Sequence, residues 1–109
     1  MALFAVTYEY TGTTGHDALR DTHRPEHVAF LSGQHEAGRL VVSGPTGNGA
    51  GALLVFTGGS ADDVARLLDA DPFRREGLIA TRTVVPWKPF FGAERLAVQS
   101  VPQPAGAAR

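Results

Sequence analysis

Six segments with regular apolar spacing follow one another along the chain in the order strand, helix, strand, strand, helix, strand. The predicted strands are rich in β-branched and aromatic residues. They cover residues 2–10, 39–45, 52–57 and 78–87. This order is typical of the ferredoxin-like split βαβ motif, βαββαβ, and right-handed crossovers would place two helices on one face of a four-stranded antiparallel sheet. We therefore predict an α+β fold for residues 1–91, with residues 92–109 as a partly disordered C-terminal tail.

Two segments show the 3.6-residue apolar period of a helix. The first is predicted to begin at Pro25, because proline suits the first turn of a helix, and to end near Gly38, where glycine accepts a left-handed conformation. Residues 17–23 before it are predicted as a turn or a short helical lead-in. The second is predicted to begin after Ser60, with Asp63 three residues later completing a capping-box pattern.

Both faces of the predicted strands carry apolar side chains, as Leu3 beside Phe4 and Leu53 beside Leu54 illustrate. Two helices on one face would leave the other face with an exposed apolar patch on the order of several hundred Å². A second copy packed sheet against sheet would cover this patch, and two-fold dimers are the commonest oligomers. The sequence therefore predicts a homodimer that forms through the sheet face.

Composition restricts the functional classes. A length of 109 residues fits one domain, and 43% hydrophobic with 19% charged residues is ordinary for a globular chain. The sequence has no long apolar run and no basic leader, so we expect a cytoplasmic protein without a membrane partner. A net charge of −1 gives no electrostatic case for nucleic acid. The absence of cysteine excludes disulfides, thiolate metal sites and a cysteine nucleophile.

His27 is the first candidate for catalysis. It shares the core-facing stripe of the predicted first helix with Phe30 and Leu31, where an imidazole is unusual. In the first turn of a helix that begins at Pro25, the helix dipole and desolvation would both keep the ring neutral. A neutral histidine in a small pocket can act as a general base. A core histidine bonded to a backbone carbonyl is the open structural alternative.

Other chemistries have weaker support. His23 and His27 have the four-residue spacing of zinc ligands on a helix, but Pro25 is predicted to interrupt the helix between them, and no HExxH motif occurs. The glycine-rich segment 46–51 matches neither phosphate-binding fingerprint, and no GxSxG motif is present. We therefore predict no metal and no cofactor.

Three motifs follow one another in a jointly specific order. They are Arg-Pro-Glu-His at residues 24–27, Gly-Arg-Leu at 38–40 with Ser-Gly-Pro at 43–45, and Ala-Asp-Pro-Phe at 70–73. Together they resemble the YciI-like family over residues 3–90. The resemblance implies a dimeric α+β barrel, related in fold to muconolactone isomerases and small cofactor-free monooxygenases. It also implies an active site built on a histidine and an aspartate, which match His27 and Asp71.

The resemblance gives Asp71 the role of accepting the ring N–H of His27, as the acid of a catalytic triad does. The alternative is structural, because Asp-Pro is a common turn-forming pair at the end of a helix. Many members of the family have no established reaction, and a few are linked to elimination or isomerisation of ring-cleavage products of aromatic degradation. This implies a reaction in which a base removes a proton beside a carbonyl and positioned donors stabilise the enolate.

Four further residues are candidates for substrate binding. Arg20 and Arg24 precede the predicted start of the helix and could hold a substrate carboxylate, with solvated surface arginines as the alternative. Ser43 and Trp87 lie on predicted strands and are candidates to line a pocket beneath the helices. Simple packing or a dimer contact is the alternative for Trp87.

The combined hypothesis is a small cofactor-free lyase or isomerase that acts on a small organic acid or an aromatic-degradation product. Two other classes stay open. The first is a non-catalytic ligand-binding or accessory domain, since fold does not decide function. The second is a cofactor-free monooxygenase whose substrate itself activates oxygen.

Overall fold

A computed structural model describes residues 2–12 and 15–100 of the chain, without the side chains of residues 97–100. The strands are β1 (Ala2–Tyr10), β2 (Leu40–Thr46), β3 (Gly51–Gly58) and β4 (Ile79–Trp87), and the helices are α1 (His16–Glu36), α2 (Ala61–Leu68), α3 (Pro72–Arg75) and α4 (Ala93–Ser100). All neighbouring strands are antiparallel, in the order β2-β3-β1-β4. The predicted ferredoxin-like α+β fold is confirmed.

The core lies between one face of the sheet and helices α1, α2 and α3. On the central strand β1, Phe4, Val6 and Tyr8 alternate with more exposed residues and point into this layer. Val64 from α2 and Phe73 from α3 meet them there. Burying a large apolar side chain of this kind contributes about 1.5–3 kcal/mol. Tyr8 is thereby held beneath α3, close to the candidate site.

Helix α1 begins at His16 rather than at Pro25, so the predicted start of the first helix is wrong. Residues 17–23 are part of one continuous helix, and Pro25 lies inside it. An internal proline removes one backbone hydrogen bond. The first turns are held by other contacts, since Arg20 is buried, pairs with Asp17 and donates to the carbonyl oxygen of Thr11 at 3.1 Å. The hydrogen bond to Thr11 reaches outside the helix, and local proline statistics do not include it.

The β2–β3 hairpin closes through a single 3₁₀ turn, Gly47–Gly49. Gly47, Asn48 and Gly49 all have positive φ, which explains the glycines around Asn48. Gly51 starts β3 opposite β1, where a Cβ would clash with the carbonyl oxygen of Tyr8. Glycine at this position therefore allows β3 to approach the central strand closely.

The second face of the sheet carries half-exposed apolar side chains. They are Val42, Leu53, Val85 and Trp87. Helix α4 packs against β2 and forms a cavity with Leu3, Thr57 and Trp87 at one end of this face. Residues Ala93–Ser100 of the predicted C-terminal tail form α4, and residues 101–109 of that tail lie outside the described residues. Among the helices that the structure describes, none has the length and hydropathy needed to cross a membrane.

Candidate active site

His27 and Asp71 meet in a buried pair. His27 comes from the middle of α1, and Asp71 lies between α2 and α3. Nδ1 of His27 is 2.8 Å from Oδ1 of Asp71, with His27 7% exposed and Asp71 fully buried. Asp71 also caps α3 by accepting the N–H of Phe73 at 3.0 Å. Asp71 therefore both caps the turn at Asp-Pro and contacts the histidine.

The position of His27 corrects one sequence-based argument. We predicted that the dipole at the first turn of the helix would keep the ring neutral. Because α1 begins at His16, His27 lies far from that first turn, and the dipole effect is confined to the terminal turn. The protonation of the ring must instead be argued from its contacts with Asp71 and Phe73.

Tyr8 is a third member of this group that the sequence analysis missed. Its hydroxyl donates to Oδ2 of Asp71 at 3.0 Å, and its side chain is almost fully buried. Burial, together with the neighbouring Asp71 carboxylate, raises the pKa of Tyr8 far above its ordinary value. Tyr8 therefore keeps its proton and remains a donor. The one available signal was its place on the core-facing side of a strand rich in aromatics.

The hydrogen bonds of Asp71 determine which nitrogen of His27 is free. A carboxylate accepts from Tyr8, from the Phe73 N–H and from Nδ1–H of His27, and these donors offset the cost of burying its charge. The neutral tautomer of His27 then carries its proton on Nδ1 and a lone pair on Nε2. Within the described residues Nε2 has no hydrogen-bond partner and is not sealed from the cavity. It can accept a proton, and Asp71 would stabilise the resulting imidazolium.

Phe73 fixes the plane of the imidazole. Its ring is stacked on His27 with centroids 3.9 Å apart and planes 2° from parallel. Tyr10 meets the same ring edge-on at 5.6 Å, and the Arg24 guanidinium lies 5.8 Å from its centroid. Phe73 is fully buried. No sequence pattern had indicated a contact between Phe73 and the histidine.

A cavity of about 280 Å³ opens beside His27. Leu31 and Leu54 give it apolar walls, whereas Tyr10, Ser43 and Arg24 add polar groups. Arg24 is half-exposed and pairs with Asp21 at 3.1 Å. An apolar cavity with a few convergent polar groups is the usual form of a small-molecule site. Three of the candidate residues, His27, Ser43 and Arg24, line this cavity, and Asp71 lies directly behind the imidazole.

Two predicted binding residues lie elsewhere. Arg20 is inside α1 rather than before it, and it does not line the cavity; its guanidinium lies 5.0 Å from the centre of the Tyr10 ring. Trp87 pairs with Leu3 on the second face of the sheet, so the expectation that it lines a pocket beneath the helices is wrong. The sequence predicts the alternation of side chains along β4, but it does not predict which face of the sheet the helices cover.

Comparison with known families decides the relationship of this chain. The family model of the YCII-related domain matches residues 2–88. The chain belongs to the YCII-related family. This confirms the resemblance drawn from the three motifs. A search of the curated proteins found no significant match.

One solved structure that is similar to this YCII-related protein is that of an enzyme. The 5-chloro-2-hydroxyhydroquinone dehydrochlorinase of Burkholderia phenoliruptrix, solved with 2,5-dihydroxybenzoquinone, superposes with a TM-score of 0.67 at 28% identity, covering 79% of this chain and 93% of that chain. A NIPSNAP family protein of Agrobacterium tumefaciens shares the fold at a TM-score of 0.50 and 18% identity, covering 82% and 92%. The dehydrochlorinase supports a role for this protein as a small-molecule enzyme.

The histidines of the YCII-related domain do not form a ready metal centre. Pro25 leaves α1 continuous, contrary to our expectation, so His23 and His27 do share a helix. The ring of His23, however, contacts Glu26 at 3.4 Å and Glu76 at 3.8 Å, whereas His27 uses Nδ1 for Asp71. In the described part of the chain no group of three or more His, Asp or Glu side chains is arranged to hold a metal ion.

Proposed function

We propose that this protein is a cofactor-free lyase or isomerase in which His27 is the general base and Asp71 orients it. The observation that carries the proposal is the buried Nδ1–Oδ1 contact of 2.8 Å, which leaves Nε2 as the free nitrogen at the cavity. A positioned general base contributes about 10²–10⁴-fold to a reaction rate. The proposed substrate is a small oxygenated product of aromatic degradation that ionises as it reacts.

The proposed reaction begins with transfer of a substrate proton to Nε2 of His27. In an isomerisation, the electron pair released by that proton forms an enolate, which is then protonated at another atom. In an elimination from a hydroxylated ring, the same pair moves through the ring and takes up a proton at the carbon that bears the leaving group. Loss of a second hydroxyl proton then forms the quinone and expels the leaving group with the electrons of its bond. Arg24 and the Ser43 hydroxyl line the cavity and would stabilise the oxyanion that develops.

Two observations support a ring substrate of this kind. The cavity of about 280 Å³ suits a single small ring, and Arg24 supplies one positive charge at its wall. The 28% identical dehydrochlorinase acts on 5-chloro-2-hydroxyhydroquinone and was solved with 2,5-dihydroxybenzoquinone. A chlorinated polyhydroxybenzene is therefore the first substrate to test. Its dehydrochlorination would yield a quinone, chloride and one proton.

The wild-type protein is expected to release chloride from 5-chloro-2-hydroxyhydroquinone under anaerobic conditions, one chloride for each quinone formed. An ion-selective electrode and the quinone absorbance measure the two products, with heat-denatured protein as the control. Absence of turnover, together with tight binding of 2,5-dihydroxybenzoquinone, would instead indicate a ligand-binding module. Turnover that requires and consumes oxygen would indicate the monooxygenase alternative.

We also propose that two copies associate through the second face of the sheet, where Leu53 and Val85 are half-exposed. The wild type is expected to be a dimer by light scattering after size exclusion, and Val85→Asp a monomer, because a carboxylate in an apolar interface loses its hydration. Leu19→Asp, at a similarly exposed position on α1, is the control and should remain a dimer. A monomeric wild type, or a dimeric Val85→Asp variant, would refute this assembly.

A further inference from the structure

Tyr8 is a buried tyrosine to which the proposed proton transfer has so far given no role. We propose that Tyr8 is a positioning residue, which holds Asp71 and sets the strength with which Asp71 retains a proton on His27. The proposal rests on the proposed function of His27 as general base. Tyr8 does not line the cavity, and its hydroxyl is linked to His27 through the hydrogen bond to Asp71.

The two oxygens of Asp71 divide the contacts between them. Oδ2 accepts from the Tyr8 hydroxyl at 3.0 Å, and Oδ1 accepts from His27 Nδ1 at 2.8 Å and from the Phe73 amide at 3.0 Å. The carboxylate is thereby fixed from the central strand on one side and from α3 on the other. These two contacts determine the plane of the carboxylate. They therefore also determine the direction from which it accepts the imidazole N–H. Loss of the Tyr8 hydroxyl leaves one buried oxygen unsatisfied and frees this plane.

The same hydrogen bond has an electrostatic consequence. A donor on Oδ2 withdraws negative charge from the carboxylate, so that Asp71 stabilises the protonated form of His27 less strongly. Because burial and Asp71 raise the pKa of Tyr8, the hydroxyl remains a donor at every pH at which the enzyme would be assayed. Removing the hydroxyl should therefore make His27 hold its proton to a higher pH.

Other charged and titratable groups surround this chain of contacts and remain in place in the Tyr8→Phe variant. They are Tyr10 on β1, Arg82 on β4, and Arg20 and Arg24 on α1. Arg82 donates to the Ala65 carbonyl oxygen and to Asp69, and Arg24 pairs with Asp21. Since none of these pairs includes Tyr8, the phenylalanine substitution leaves them intact.

The test compares the wild type with Tyr8→Phe. Two readouts are measured: the pH profile of kcat/KM, and the imidazole NMR titration of His27, which requires no substrate. We expect the acidic midpoint of both to rise by about 0.5–1 pH unit, and kcat on the plateau to fall about 10-fold with KM within about twofold. Val6→Ala, fully buried on the same strand, is the packing control and should lower Tm without moving either midpoint.

The outcomes separate the two proposals. If His27→Ala remains as active as the wild type, the proposed function fails, whereas the NMR titration still tests Tyr8. If His27→Ala is inactive and Tyr8→Phe keeps the wild-type midpoint and kcat, the role of Tyr8 is wrong. Should Tyr8→Phe fail to fold, 3-fluorotyrosine in a Tyr10→Phe background labels position 8 alone, since the chain has two tyrosines. The reference is Tyr10→Phe with ordinary tyrosine, because Tyr10 itself lines the cavity. The fluorinated tyrosine is the stronger donor and should lower the midpoint, and an unchanged midpoint would overturn the proposal.

Discussion

His27→Ala is expected to lower kcat by about 10²–10⁴-fold, because it removes the base and leaves only binding and oxyanion stabilisation. Affinity for 2,5-dihydroxybenzoquinone should change by no more than a few-fold, since Arg24 and the apolar walls of the cavity remain. Steady-state kinetics and isothermal titration calorimetry on the same preparation measure the two quantities. Added imidazole should restore part of the lost rate by occupying the space that the side chain leaves.

Two further variants show whether the loss is chemical. His27→Gln keeps a hydrogen-bonding side chain of similar length at the cavity but cannot accept the proton at neutral pH, so it should be as inactive as the alanine variant. His23→Gln alters a histidine on the same helix outside the cavity and should keep the wild-type rate. Wild-type kcat in His27→Gln would rule out general-base catalysis by His27.

Phe73→Ala is expected to lower the free energy of unfolding by about 3–5 kcal/mol, since it empties a fully buried site and removes two aromatic contacts. Urea unfolding at one fixed protein concentration measures the change, because the stability of an oligomer depends on concentration. Any remaining folded protein should also be a poor catalyst, because the stacking that holds the plane of His27 is lost and only the hydrogen bond to Asp71 orients the ring.

Phe73→Leu provides the comparison for this prediction. Leucine fills most of the volume but cannot stack, so we expect a loss of only about 1–2 kcal/mol in stability. Its kcat should nevertheless fall several-fold because the imidazole is less well oriented. A Phe73→Ala variant that unfolds within about 1 kcal/mol of the wild type would contradict the packing described here.

Elements with strong local patterns could be predicted from the sequence. The alternation in β1 and the Ser60 cap, whose hydroxyl accepts the Asp63 N–H at 3.1 Å, depend on neighbouring residues and were correct. The start of α1 could not be predicted from Pro25, because the helix continues through the proline. Its first turns are held in part by the contact of Arg20 with Thr11, in the short segment that connects β1 to α1, and helical periodicity does not reveal this contact.

The candidate site was predictable only in part, and for a related reason. The proximity of His27 and Asp71 came from a family resemblance, since 44 positions separate them in the chain. Tyr8 is farther still from Asp71 along the sequence, and nothing in the pattern of β1 distinguishes a tyrosine that binds a carboxylate from one that only packs. For Trp87 the alternation along β4 was predictable from the sequence, but the side of the sheet that the helices cover was not.

The two faces of strand β1 make different contacts. Its even-numbered residues carry the core and the support of Asp71, while its odd-numbered residues belong to the face proposed for the second copy. Substitutions at odd positions can therefore change assembly while the proton chemistry persists. A slip of one residue in the pairing of β1 would exchange both sets at once, so selection on either property keeps the strand in the same alignment.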